Sequence, residues 1–234
     1  MSLLDDENIL LDPERDKLII KSWIKDNYKI NDHLKINDDL TVDCSGSVTI
    51  KNFNIGSLTN GMFRWGKVDE DFYCSNCENL TSLEGAPVAV GRDFYCYGCK
   101  NLKSLEGAPE KVGGSFYCIG CKNLKSLEGA PKEVKYDFSC VRCENLKSLD
   151  GAPKEVGRDF DCSYCENLKS LDGAPKEVGK NIHCSNCFGL TDISRLPKKV
   201  QNIILNGCIS LSDQRDKIIK LIKTYDNRIG VIWE

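Results

Sequence analysis

Apolar and polar positions along this chain repeat with a period far longer than that of a helix or a strand. The stretch from Phe94 to Val112, FYCYGCKNLKSLEGAPEKV, returns in near-copies whose first cysteine falls at Cys74, Cys96, Cys118, Cys140, Cys162 and Cys184, 22 residues apart each time. A fixed period of that size marks a stacked array of supersecondary units. Within one unit the constant positions read V-x3-F-x-C-x2-C-x2-L-x2-L-x-G-A-P. The F-x-C segment alternates as a strand does, so stacking the units predicts a parallel sheet with strands about 4.8 Å apart. Phe94, Cys96, Cys99, Leu102, Leu105, Ala108 and Val112 are then the inward positions. Each buried Phe or Leu contributes roughly 1.5–3 kcal/mol, and no single coil can bury its own face, which calls for a continuous array closed by caps. Gly107-Ala108-Pro109 turns the chain on the side away from the sheet, where proline is tolerated.

The flanks supply those caps. Asp12 to about Asp26 reads as a helix: Asp12 caps it, Pro13 takes the first position and Glu14 suits the positive end of the dipole. Its apolar face is Ile19, Ile20, Trp23 and Ile24. From Leu40 to Ile50 the sequence LTVDCSGSVTI alternates about Ser45-Gly46, which predicts a hairpin. Ile50, Ile55, Leu58, Trp65 and Val68 fall 22 residues before Phe72, Cys77, Leu80, Pro87 and Val90, as in a degenerate first coil. Valine then recurs from Val68 to Val200, after which the last coil is one residue shorter before Ile203. Ser212-Asp213 opens a helix with the stripe Ile218, Leu221, Ile222 and Tyr225, and RIGVIWE ends the chain as a short strand or tuck. The expected architecture is a repeat solenoid of about eight coils, with a parallel β-sheet of one short strand per coil and helical caps at both ends. Its parts are an N-terminal helical cap (1–39), a hairpin and degenerate first coil (40–67), the solenoid proper (68–211) and a C-terminal helix and strand cap (212–234).

Composition narrows the classes. A hydrophobic content of 41% is adequate for a core and argues against disorder. The formal net charge of −3, with Lys and Asp/Glu interleaved, lacks the basic footprint of a nucleic-acid binder. The acidic start, MSLLDDENILLDPERD, is no signal peptide, and no apolar run reaches the length that spans a bilayer. The 14 cysteines therefore imply free thiols in a reducing compartment, the cytoplasm.

The C-x2-C pairs admit three readings. Cys74/Cys77 followed by Cys96/Cys99 matches the spacing of a zinc site. A redox motif would single out one exposed cysteine of low pKa. A buried thiol ladder treats cysteine as a small hydrophobe. The last coil favours the ladder, because Leu205 stands at the first cysteine position while Cys208 is kept. A core position accepts Leu for Cys; a ligand position does not. No metal or cofactor is expected on that reading.

These spacings resemble the leucine-rich repeat, L-x-x-L-x-L-x-x-N/C-x-L, with Val112, Phe116, Cys118, Cys121, Leu124 and Leu127 at the signature positions. The chain departs from it by an extra residue before Phe116, by cysteine at the second strand leucine and by a longer Cys-to-Leu gap. Val200, Ile203, Leu205, Cys208 and Leu211 restore the standard early spacing. The phrase SLEGAP(K)EVG is also similar to repeats of tailed-bacteriophage and other viral proteins, which implies a viral origin. The leucine-rich-repeat resemblance implies a rigid scaffold whose concave strands present the residues between the core positions.

Those outward columns do not repeat. Tyr73, Tyr95, Tyr97, Tyr117 and Ile119 crowd the early coils, and Val141, Asp161 and His183 follow. Arg142 and Tyr164 stand where other coils have Gly or Asn. Tyrosine offers a large contact area with a polar tip, as binding anchors do; the plainer alternative is β-propensity on an exposed strand. His183 has no matching nucleophile, and neither a phosphate-binding glycine loop nor a catalytic triad is present. Two ladders, Lys103/Lys125/Lys147/Lys169 and Glu106/Glu128/Asp150/Asp172, are expected to neutralise each other on a solvated face. The expectation is a non-enzymatic module that binds a partner protein, a host protein if the origin is viral, through these ten outward residues. Nucleic acid and membrane are not expected as partners. The alternatives are a structural protein that self-associates through a cap helix or the concave face, and a zinc-binding repeat.

Overall fold

The computed structural model describes residues 12–225 and 229–233. The acidic start 1–11, residues 226–228, Glu234 and the side chain of Tyr225, expected in the stripe of the C-terminal helix, lie outside the described residues.

The chain winds into a β-solenoid of about seven turns. The F-x segment of each turn forms a short strand, from Phe72–Tyr73 through Phe160–Asp161 to Asn181–His183 and Asn202–Ile204. These strands pair in parallel with Phe directly on Phe, as the 22-residue period requires. We call this the phenylalanine sheet. The structure adds a second parallel sheet, built from Ala89–Val90, Lys111–Val112, Glu133–Val134, Glu155–Val156 and Glu177–Val178. Valine and phenylalanine are both buried, and the three residues between them turn the corner from one sheet to the next.

The interior is a set of columns. Phe72, Phe94, Phe116, Phe138 and Phe160 stack with ring centroids 5.1 to 5.5 Å apart and planes within 10° of parallel. Leu102, Leu105, Cys96 and Cys99 have no exposed surface, and their counterparts in neighbouring turns behave alike. One inward expectation is corrected: Ala108 is only half-buried, and the Pro109 ring takes the interior place. Gly107 makes that turn possible. Its φ is +84°, and a Cβ there would lie 2.4 Å from the Glu84 backbone nitrogen in the turn below.

The two cysteines of a turn differ in their bonding. The second donates its thiol to the carbonyl of the first cysteine in the preceding turn: Cys99 to Cys74 at 3.1 Å, Cys121 to Cys96 and Cys143 to Cys118 at 3.2 Å. Among the described residues no backbone N–H reaches the Cys74 or Cys96 carbonyl, so the thiol is its partner. The first thiol faces a carbonyl already taken; Tyr117 O accepts the Cys96 N–H at 2.9 Å and lies 3.4 Å from its sulfur. In the last turn Leu205 stands at the first thiol position, whereas Cys208 is kept and donates to the Cys184 carbonyl at 2.9 Å, which also accepts the Cys187 N–H at 3.3 Å. Burial lifts the pKa of the donor Cys208 to about 11, which keeps its thiol protonated, and burial also raises the first-position thiols Cys74 and Cys96.

Both ends are closed. Helix α1 (Pro13–Asn27) is capped by the Asp12 carboxylate, which accepts from the Glu14 and Arg15 backbone N–H groups. It buries Ile20 and Ile24, with Trp23 half-buried beside Tyr28 and Phe63. Tyr28–Ile30 and Leu34–Ile36 then run antiparallel to the first strand of each sheet and cover its edge. The hairpin expected at Leu40–Ile50 does not form. Thr41–Cys44 joins the valine sheet and Val48–Ile50 the phenylalanine sheet, so the Gly46 turn is a solenoid corner. The first coil is also two residues longer than expected: Val48, not Ile50, lies beneath Phe72. At the other end a 3-10 turn, Ile209–Gln214, precedes helix α2 (Arg215–Tyr225), so Ser212 and Asp213 sit inside that turn rather than capping the helix. Gly230–Ile232 adds a last parallel strand beside Asn202–Ile204. Among the described residues no helix is long and apolar enough to cross a membrane.

Candidate interaction face

The outward side chains of the phenylalanine sheet form one continuous strip. In a parallel in-register stack, identical side chains are brought ring on ring. Tyr73 and Tyr95 stack at 4.5 Å with planes 3° apart, and Tyr95 and Tyr117 at 5.2 Å and 11°. Tyr97, two residues along the strand, packs edge-on against Tyr95 at 5.4 Å and tilts against Tyr117 at 5.9 Å. The expected tyrosines thus make a single aromatic patch.

The hydroxyls of Tyr73 and Tyr95 are anchored by residues that the sequence reading passed over. Asp71 and Asp93 precede the phenylalanine in their turns. Tyr73 donates to Asp71 at 3.1 Å and Tyr95 to Asp93 at 2.7 Å. The other oxygen of each carboxylate accepts from the next turn: Asp71 from the Asp93 N–H at 2.9 Å, Asp93 from the Ser115 N–H at 2.6 Å. Asp137 and Asp159 continue the ladder. The recurring D-F dipeptide was the signal for it. Burial, then the Asp93 hydrogen bond, pushes the Tyr95 pKa well above the ordinary phenol value, and burial lifts Tyr97 to about 12. These rings stay neutral at physiological pH.

Farther along the strip, Ile119 and Val141 are half-buried, and Asp161 accepts the Ser163 N–H at 2.9 Å. His183 is half-buried with Nε2 3.7 Å from Asp159 Oδ1. Arg142 and Tyr164 occupy a column in which every residue has positive φ: Asn76, Gly98, Gly120, Asn186 and Gly207 elsewhere, and +58° and +60° for the two bulky residues. A side chain in that conformation costs roughly 1–2 kcal/mol relative to glycine. The strained pair meets outside the fold, with the Arg142 guanidinium 5.1 Å from the centre of the Tyr164 ring. Tyr164 is 39% exposed.

The charged ladders on the Gly-Ala-Pro side behave differently from expectation. Among the described residues none of the four lysines Lys103, Lys125, Lys147 and Lys169 forms an ion pair; Lys100–Glu78 at 2.7 Å and Lys122–Glu144 at 2.8 Å pair between turns through a neighbouring column, while Asp172 pairs with Arg195 at 3.1 Å. The asparagines of the N-L-K-S-L phrase also cross-link turns: Asn101 donates to Glu78 O and Asn167 to Glu144 O, both at 2.8 Å. Among the described residues no group of three or more His, Cys, Asp or Glu side chains is disposed around a common metal position. Comparison of the chain with protein-family models, with curated protein sequences and with solved structures finds no match.

Proposed function

We propose that this chain is a protein-interaction module that binds a partner protein through the outer strip of the phenylalanine sheet. The observation that carries the reading is the patch of Tyr73, Tyr95, Tyr97 and Tyr117, held in fixed orientation by ring stacking and by Asp71 and Asp93. Side chains already ordered in the free protein lose little entropy on binding. Arg142 and Tyr164 support it further, because strain kept at exposed positions points to use rather than to folding. The spacing of Val200, Ile203, Leu205, Cys208 and Leu211 supports kinship with leucine-rich repeats, and the SLEGAP phrase supports a viral origin. On that basis the partner is a host protein met in the cytoplasm, and the module acts by occupying it, without catalysis.

The test is affinity capture from host lysate with the full chain and with a Tyr73→Ala/Tyr95→Ala/Tyr97→Ala/Tyr117→Ala variant, each checked by thermal melting. Loss of the captured protein with a cooperative melt retained is the expected result. A folded variant that still captures it defeats the assignment. Exposed Phe188, Ile209 and Ile232 on the last turns favour a second reading, self-association; light scattering over a concentration series separates a monomer from an assembly.

A further inference from the structure

The other outer faces carry both signs of charge side by side. Over the valine sheet, Glu133, Glu155 and Glu177 share a shallow groove of about 480 Å³ with Lys111, Lys135 and Lys199. On the Gly-Ala-Pro side, Lys103, Lys125 and Lys147 run beside Glu106, Glu128 and Asp150. The tyrosine strip is different. Its carboxylates are Asp71, Asp93, Asp137, Asp159 and Asp161, and its own guanidinium is Arg142. Arg158 lies 3.7 Å from Asp137 and His183 3.7 Å from Asp159, and at its margin Arg92 is held 3.7 Å from Glu70. Among the described residues Asp71, Asp93 and Asp161 have no Lys, Arg or His within ion-pairing distance.

The polarity of the hydrogen bonds sharpens the picture. Tyr73 and Tyr95 direct their hydroxyl protons to Asp71 and Asp93, so the phenol oxygens are left as acceptors. The patch therefore offers electron-rich rings, acceptor oxygens and uncompensated negative charge. A guanidinium is the complement of all three: it is cationic, only donates, and its plane packs on aromatic rings. The chain already contains this pairing, in Arg142 on Tyr164 and in Arg215 on Trp233, each at 5.1 Å.

Resting on the interaction-module reading, we propose that Tyr73, Tyr95, Tyr97 and Tyr117, together with Asp71 and Asp93, receive an arginine-rich basic segment of the partner protein. Arginine is favoured over lysine because its planar group can lie on a ring and donate to a carboxylate at once.

The test uses the full chain and fluorescein-labelled peptides of alternating Arg-Gly, Lys-Gly and Glu-Gly, followed by anisotropy at physiological ionic strength. The Arg-Gly peptide is expected to bind more tightly than Lys-Gly, and Glu-Gly not at all. Tyr95→Ala/Tyr97→Ala and Asp71→Asn/Asp93→Asn should each weaken Arg-Gly binding by about tenfold or more. Asparagine suits the aspartate column, since Asn181 already occupies it and accepts from Asn202 at 2.7 Å. Glu133→Gln/Glu155→Gln removes the same charge from the valine sheet and should leave binding unchanged. Equal loss from that control, or equal binding of the Glu-Gly peptide, overturns the proposal. If the Arg-Gly peptide does not bind while the tyrosine variant still loses the captured partner, the basic-segment assignment falls and the interaction face stands.

Discussion

Replacing Cys121 and Cys118 by alanine, one at a time, separates the two roles that cysteine has in this fold. Both side chains are fully buried, and each substitution removes one sulfur, so the lost packing is similar in the two variants. Only Cys121→Ala strands a hydrogen-bonding group, the Cys96 carbonyl that its thiol reaches at 3.2 Å. The Ser139 carbonyl near Cys118 keeps its bond from the Cys118 N–H at 2.9 Å. A buried unpaired carbonyl costs about 1–3 kcal/mol, so Cys121→Ala should be less stable than Cys118→Ala by roughly that amount. Cys121→Ser restores a donor and should recover part of the loss, whereas Cys118→Ser should not. Urea titration followed by far-ultraviolet circular dichroism measures both, provided the m-value is unchanged, since repeat arrays can lose all-or-none unfolding. Equal costs for the two alanine variants, or a Cys121→Ser variant no better than Cys121→Ala, would refute the thiol–carbonyl argument.

Two further outcomes are expected. Gly107→Ala should cost about 3 kcal/mol or more, because positive φ and collision with the backbone of the turn below act together; Gly120→Ala, at φ +70° with its nearest neighbour 3.9 Å away, should cost only about 1–2 kcal/mol. Comparable urea midpoints for the two variants would contradict this. The second concerns alkaline pH. Cys208 has its pKa raised by burial from 9.0 to about 11, so the folded state holds that proton more tightly than the unfolded chain. The resulting stability is fully present below pH 9 and is lost as pH rises toward 11, about 2–3 kcal/mol for this thiol. The melting temperature should therefore fall between pH 9 and 10.5 and fall less in Cys208→Ala; a flat profile would contradict the account.

The sequence by itself determined the stacking. Twenty-two-residue periodicity places like on like, so the phenylalanine sheet, the columns of Phe, Cys and Leu, the α1 cap with Asp12 and the tyrosine-rich strip were all legible before any coordinates. Tertiary structure decided the contacts that do not follow the period. The Cys121 thiol finds the carbonyl of Cys96, 25 residues away, because a side chain reaches obliquely into the turn below. The valine sheet was missed because each of its strands carries a single constant apolar position, so nothing in it alternates, whereas F-x-C carries two. Leu40–Ile50 does alternate, yet its two arms belong to different sheets, where Val42 pairs with Trp65 and Val48 with Phe72 and both are buried in the common core. The positive φ of Arg142 and Tyr164 was visible only as an exchange of Gly or Asn for bulk. Its meaning lies in backbone geometry, which the stacked turns impose on that column whatever residue stands there.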